Sequence, residues 1–329
     1  MAYMYARLNN NMKAIEYFEK GIKYNPFDIE FFIEYAIFLE SYDIDKAFFV
    51  HQKIKDLLSK TALKNKHFPN FELLPEFYNN LALIYMKKEQ YSNALDELEG
   101  GIIQLKKDTT VSNITTEKKY KNTALLTVMK FNKGIIYENM ANINKALECY
   151  SELMVENPLF IESYLRMANI YSNLGNFAKA EELCNKSFQY LDRSLHYNSP
   201  DVPYCVKGNI LINLGEDLKA LEIFKRLNSQ YNIEDSYSIL SQGKICYLIS
   251  TLNRQSIVDQ KKNLMESGEC VRKVLKKPKE EKNLYAGMMC GVLFAERGRF
   301  REAVEVMNSC QEANPNNKQL LYNLAFLEY

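Results

Sequence analysis

A small residue recurs along the chain with the same company at the same distances, and this register constrains the fold more than any other feature. Counting back nine from Ala14, Ala94, Ala146, Ala180, Ala220 and Ala303 gives Tyr5, Tyr85, Tyr137, Tyr171, Leu211 and Phe294. Twelve back is small again: Ala2, Ala82, Gly134, Ala168, Gly208 and Gly291. Four forward is bulky or soft and apolar: Phe18, Leu98, Tyr150, Cys184, Phe224 and Met307. Four fixed positions in six copies define an internal repeat, and repeats of this size stack helical units one on the next. Helix–turn–helix packing explains the pattern. Small residues on both helices let the axes approach, the bulky residue fills the wedge, and Gly175, Gly215 and Gly298, each five before its alanine, shape the turn. Asn25-Pro26, Asn157-Pro158 and Asn314-Pro315 close second helices, because proline lacks the donor N–H and restricts the residue before it.

The interval from Ala146 to Ala180 is 34 residues, the tetratricopeptide period, and the chain resembles that family along its whole length. The resemblance implies an all-α fold, a right-handed superhelix (α-solenoid) of helix–turn–helix units. The tryptophan usual near the start of the first helix is replaced by Tyr78, Tyr164 and Tyr204 in a chain with 23 tyrosines and no tryptophan. Other intervals are irregular: 33 to Ala47, then 47, 52, and after Ala180 40, 47 to Ser267, and 36. The excess falls in about 57–74, 107–126, 190–200, 229–236 and 252–262, read as extended second helices or loops. We therefore expect one array over 1–329: a partial repeat 1–28, repeats at about 29–56, 75–108, 127–160, 161–194, 201–234, 236–282 and 284–317, and a partial repeat 318–329. Those half repeats read as a fragment of a longer array. The apolar stripe Leu320, Leu321, Leu324, Ala325 and Phe326 would then leave an adhesive end prone to self-association.

Composition narrows the function classes. Lys+Arg 42 against Asp+Glu 41 leaves +1, so no global field draws the chain to nucleic acid, and we expect no sequence-specific nucleic-acid contact. No run of about 18 apolar residues predicts a membrane span. Seven cysteines, none in a C-x-x-C pair, fit a reducing compartment without disulfide or metal staples, and no cofactor is expected. His51, His67 and His196 lie in different repeats or spacers with no triad context, and His51 falls on a helix-packing position. Gly287 and Gly291 suit close helix packing rather than a phosphate loop. Lys276-Lys277-Pro278-Lys279 and the group Lys118, Lys119 and Lys121 read as helix C-termini complementing the dipole. The sequon Asn113-Ile114-Thr115 reads as incidental. The many aromatics recur at core positions, which disfavours an RNA-stacking surface.

Local strings are more specific than the fold. Ile33-Glu34-Tyr35-Ala36, Tyr164-Leu165-Arg166-Met167-Ala168 and Asn283-Leu284-Tyr285-Ala286 followed by Gly298-Arg299-Phe300-Arg301-Glu302-Ala303 resemble the tetratricopeptide scaffold subunits of the RNA polymerase II-associated factor complex. The resemblance implies a nuclear, non-enzymatic scaffold that holds the other subunits of that complex and contacts elongating RNA polymerase II, supporting histone methylation and ubiquitination. Two alternatives stay open: a subunit of an anaphase-promoting-complex type of assembly, whose spacing is more regular, and the substrate-binding array of a glycosyltransferase. For a partner, the first helices offer Phe131 with Ile135, Leu165 with Asn169, and Cys205 with Asn209, each pair four apart and so on one face, with Asn132 and Arg166 beside them. An apolar strip with amides suits an extended segment, whose backbone Asn169 and Asn209 would bond. The competing role for both amides is bonding to neighbouring helices.

Overall fold

A computed structural model of the chain describes residues 1–64, 75–109, 115–191, 201–231, 235–251, 256–277 and 283–328. His67, His196, Asn113-Ile114 and Pro278-Lys279 lie outside these residues. The chain falls into two compact units, Met1–Asn157 and Pro158–Tyr329. The first holds α1 (Ala2–Arg7), α2 (Asn11–Tyr24), α3 (Ile29–Glu40), α4 (Ile44–Lys64), α5 (Pro75–Lys87), α6 (Tyr91–Thr109), α7 (Thr116–Asn139) and α8 (Ile143–Glu156). The second holds α9 (Ile161–Asn173), α10 (Phe177–Leu191), α11 (Asp201–Asn213), α12 (Asp217–Tyr231), α13 (Ser236–Thr251), α14 (Ile257–Leu275), α15 (Leu284–Glu296), α16 (Phe300–Ala313) and α17 (Lys318–Glu328). In both units an odd-numbered first helix packs against the even-numbered second helix that follows, as an α-solenoid requires.

The register becomes geometry at the crossing of each pair. Ala14, Ala47, Ala94, Ala146, Ala180, Ala220, Ser267 and Ala303 are all fully buried. A Cβ placed on Gly134 would lie 2.5 Å from the Tyr150 ring, on Gly208 2.4 Å from Phe224, and on Gly291 2.6 Å from Met307. The small residue of the first helix and the bulky one sixteen positions later are thus direct partners, and close packing leaves no room for a methyl group. Tyr85 is buried in the same wedge, whereas Tyr137 and Tyr171 are half-buried. A lysine just before the anchoring alanine roofs the exposed edge, with Lys145 Nζ 5.3 Å from the Tyr137 centroid and Lys179 Nζ 4.3 Å from Tyr171.

Most of the described turns follow one scheme, from which the turn before Ala47 departs. Among the described residues six have φ between 56° and 78°, and every one stands five before an anchor: Asn9, Glu89, Ala141, Gly175, Gly215 and Gly298. The next residue caps the second helix where it is asparagine: Asn10, Asn142 and Asn176 accept from the N–H three residues on, at 3.3, 3.3 and 3.2 Å. Asn25, Asn157 and Asn314 terminate α2, α8 and α16 immediately before their prolines.

Three expectations change. The excess around 116–126 lengthens a first helix, α7, and not a second one; α4, α6 and α14 are the lengthened second helices. Lys118, Lys119 and Lys121 consequently stand at the N-terminal end of α7, where the dipole opposes them, while Lys276 is the C-cap of α14 as expected. In α17, Leu320 and Leu324 are buried in a cluster with Met307 of α16, so only part of the anticipated stripe is open, Leu321, Ala325 and Phe326.

Candidate interaction surface

With the small residue of each first helix turned to its second helix, the residue one further on is rotated about 100° away. In the first unit this outer position is Tyr3, Ile37, Leu83 and Ile135, following Ala2, Ala36, Ala82 and Gly134. In the second it is Asn169, Asn209, Lys244 and Val292, following Ala168, Gly208, Gly243 and Gly291.

Side chains tie neighbouring first helices together beside this position. In the first unit Tyr3 bonds Glu34, Asn80 Nδ2 donates to Glu40 Oε2 at 3.2 Å, and Asn132 Nδ2 donates to Asn79 Oδ1 at 2.8 Å. In the second, Asn213 Nδ2 donates to Ser172 Oγ at 3.0 Å, Asn209 Nδ2 to Tyr237 Oη at 2.7 Å, and Tyr247 Oη to Glu296 Oε1 at 2.7 Å. Carboxylate contact and burial push the Tyr247 hydroxyl up to about 12, burial being the larger cause. The three successive pairs of first helices in the first unit, and those from α9 to α15 in the second, each have such a tie, so amides on these helices serve the stack before any ligand.

That sorts the eight proposed groove residues. Phe131 is half-buried with its ring 5.6 Å from Tyr150, and Ile135 on the same helix is half-buried. Asn132 is buried by its bond to Asn79. Leu165 is only 3% exposed and contributes to the core, so it offers no side-chain pocket. Arg166 is half-buried, and Asn169 is exposed. Cys205 is half-buried, with burial pushing its thiol up to about 12. Asn209 is engaged with Tyr237, the competing role set out for it above, so Asn169 is the amide that stays open. Tyr3, Ile37 and Leu83 are not among those eight, although counting one residue past each small position finds them.

His51 takes the packing role expected of it. It is 1% exposed, its ring lies 4.8 Å from Phe77, and its Nε2 lies 2.8 Å from Glu40 Oε1. Among the described residues no three His, Cys, Asp or Glu side chains converge as a metal site, and no helix is long and apolar enough to cross a membrane.

Paired helices crossing at buried small residues, with left-handed turns at a fixed offset, make this protein a tetratricopeptide-repeat α-solenoid. The tetratricopeptide repeat family model matches residues 1–28, 75–102 and 161–190. A solved tetratricopeptide repeat protein from Parabacteroides merdae has the same fold, with TM-score 0.60 and 16% identity over 92% of this chain and 99% of that one. Within the class, the chain is similar to the CTR9 homolog of Arabidopsis thaliana, 23% identical over 95% of this chain and 29% of the relative. It is likewise similar to the RNA polymerase-associated protein CTR9 of Caenorhabditis elegans, 22% identical over 98% of this chain and 28% of the relative. The resemblance read from the local strings is borne out, and the chain spans less than a third of the length of these curated relatives.

Proposed function

We propose that the protein is a non-enzymatic scaffold of a nuclear, polymerase-associated elongation assembly, holding other subunits of that complex against elongating RNA polymerase II and so supporting histone methylation and ubiquitination. The observation that carries this reading is the similarity to CTR9 proteins over 95% and 98% of the chain, far beyond the three stretches matched by the repeat family alone. The partition into seven repeats flanked by two partial ones belongs to the same proposal. So does a partner strip on the second unit, reduced to exposed Asn169 with half-buried Arg166 and Cys205.

Affinity purification of the full-length protein from nuclear extract, read by mass spectrometry, is expected to recover polymerase subunits; their absence would overturn the assignment. Asn169→Ala is expected to weaken recovery of at least one partner with helicity unchanged by circular dichroism. Undiminished recovery would remove Asn169 from the strip.

A further inference from the structure

The start of α7 carries charge and an aromatic ring that neither the repeat nor the helix explains. From Leu105 to Ala124 the sequence holds five lysines against Asp108 and Glu117, a surplus of three in a chain whose net charge is +1. Lys106 and Lys107 lie in the last turn of α6, and Lys118, Lys119 and Lys121 in the first two turns of α7, and the two helices pack together. All five lysines are exposed, and Tyr120 among them is 72% exposed.

Geometry gathers the five and lifts three of them clear of the array. Gly101 of α6 faces the Met129 side chain of α7. From that level α6 continues to Thr109 and α7 runs back to Thr116, about 12 and about 20 Å at 1.5 Å per residue. The start of α7 therefore outreaches α6 by about 8 Å, and every residue from Thr115 to Lys121 is exposed. This projection adds nothing to the core. Glu117 pairs with Lys121 at 3.2 Å, whereas Lys118 and Lys119 form no ion pair among the described residues and oppose the helix dipole. Tyr120 stands outside the repeat register and is not one of the aromatics consumed by packing. Cations that their own helix disfavours, raised on a projection beside a bare ring, are placed for a ligand.

We infer that this patch binds single-stranded nucleic acid without sequence preference, the lysines neutralising backbone phosphates and Tyr120 stacking on a base. The combination of charge with an aromatic face selects the ligand. Lysines alone serve any polyanion, but stacking needs an unpaired base, and every base offers a π-face. A duplex keeps its base faces in its own stack, and an acidic protein segment meets the lysines and leaves Tyr120 idle. With so small a global charge, the attraction is confined to this end of the first unit. The contact is additional to the scaffold role and does not depend on it.

The test titrates the whole chain against a fluorescein-labelled twelve-nucleotide oligouridylate, read by anisotropy at about 50 and about 200 mM salt. With roughly three to five phosphates engaged at a slope of about −0.7 each, this rise in salt is expected to weaken binding about 20- to 130-fold. Lys118→Glu with Lys119→Glu is expected to weaken it at least about tenfold, and because the change suits the helix dipole, lost binding is not lost fold. Tyr120→Ala is expected to weaken the single strand about fivefold or more and to leave a duplex of the same length unaffected. Lys261→Glu with Lys262→Glu, exposed on α14, is the control and is expected to change nothing. No binding by the native chain, indifference to salt, undiminished binding by the Lys118 and Lys119 variant, or an equal loss in the control would each overturn the patch. A twelve-residue glutamate peptide that competes as well as the oligonucleotide, with Tyr120→Ala without effect, would overturn it in favour of an acidic protein partner.

Discussion

The two units share a register and differ wherever the register leaves freedom. Their anchors are equally buried, yet among the described residues the first unit makes its left-handed turns with Asn9, Glu89 and Ala141, and the second with Gly175, Gly215 and Gly298. One residue past the small position, the first unit places Tyr3, Ile37, Leu83 and Ile135, where the second begins with Asn169, Asn209 and Lys244. Six of the seven cysteines belong to the second unit, as do, among the described residues, the two serine hydroxyls buried without a partner, Ser163 and Ser267. The contrast separates positions that close packing dictates from positions open to other demands. A residue at a helix crossing has one permitted size, and a residue turned 100° away has none imposed on it.

The largest effect should come from the shared part. Gly134→Ala in the first unit and Gly208→Ala in the second should each lower stability by about 2–3 kcal/mol in urea unfolding, since the added methyl would overlap Tyr150 or Phe224. Phe224→Leu alongside Gly208→Ala should recover part of that loss. Unequal losses would mean the two crossings are not equivalent.

Alkali should next separate the units. Burial pushes Cys184, Cys205 and Cys246 up to about 12. A raised folded-state pKa leaves its stabilisation intact below the ordinary thiol value of about 8.5 and loses it as pH climbs toward about 12, at up to about 1.4 kcal/mol per pH unit for an enclosed thiol such as Cys184. Hydrogen exchange at pH 10 should therefore show the second unit opening before the first, even though the Tyr35 hydroxyl of the first is also pushed up to about 12. Simultaneous opening would erase this difference.

Ser267 stands where the other pairs have alanine, and its hydroxyl is buried without a partner. Ser267→Ala should raise stability by about 1 kcal/mol by calorimetry. Smallest are the turns: Glu89→Gly or Ala141→Gly should gain about 0.5–1 kcal/mol, and Gly175→Ala should lose about 1, although its Cβ would meet nothing within 4 Å. Chemical denaturation of all three would show whether backbone strain distinguishes the units.

Much of this fold was legible because few residues satisfy a helix crossing. Ala146, Gly134 and Tyr150 could be paired from spacing alone, and their contact is where spacing put it. Helix lengths were less legible: the inserted stretch before α7 has no register, so nothing in it told a lengthened first helix from a lengthened second one, and Lys118 and Lys119 were assigned to the wrong end of a dipole. The candidate surface was half legible. Periodicity along one helix put Leu165 and Cys205 at the same offset, yet Leu165 is buried and Cys205 half-buried, because the neighbouring helices decide what covers that side. Asn132 and Asn209 looked alike with Asn169, and only their neighbours Asn79 and Tyr237 distinguish them.

The amino-acid sequence by itself determined the repeating unit, its crossing residues and its turns, since these depend on residue size and backbone freedom within about 34 consecutive positions. Only the tertiary structure decided which polar side chains are consumed between helices and which apolar ones stay open. That depends on the distance between first helices in successive repeats, joined through spacers whose lengths follow no rule.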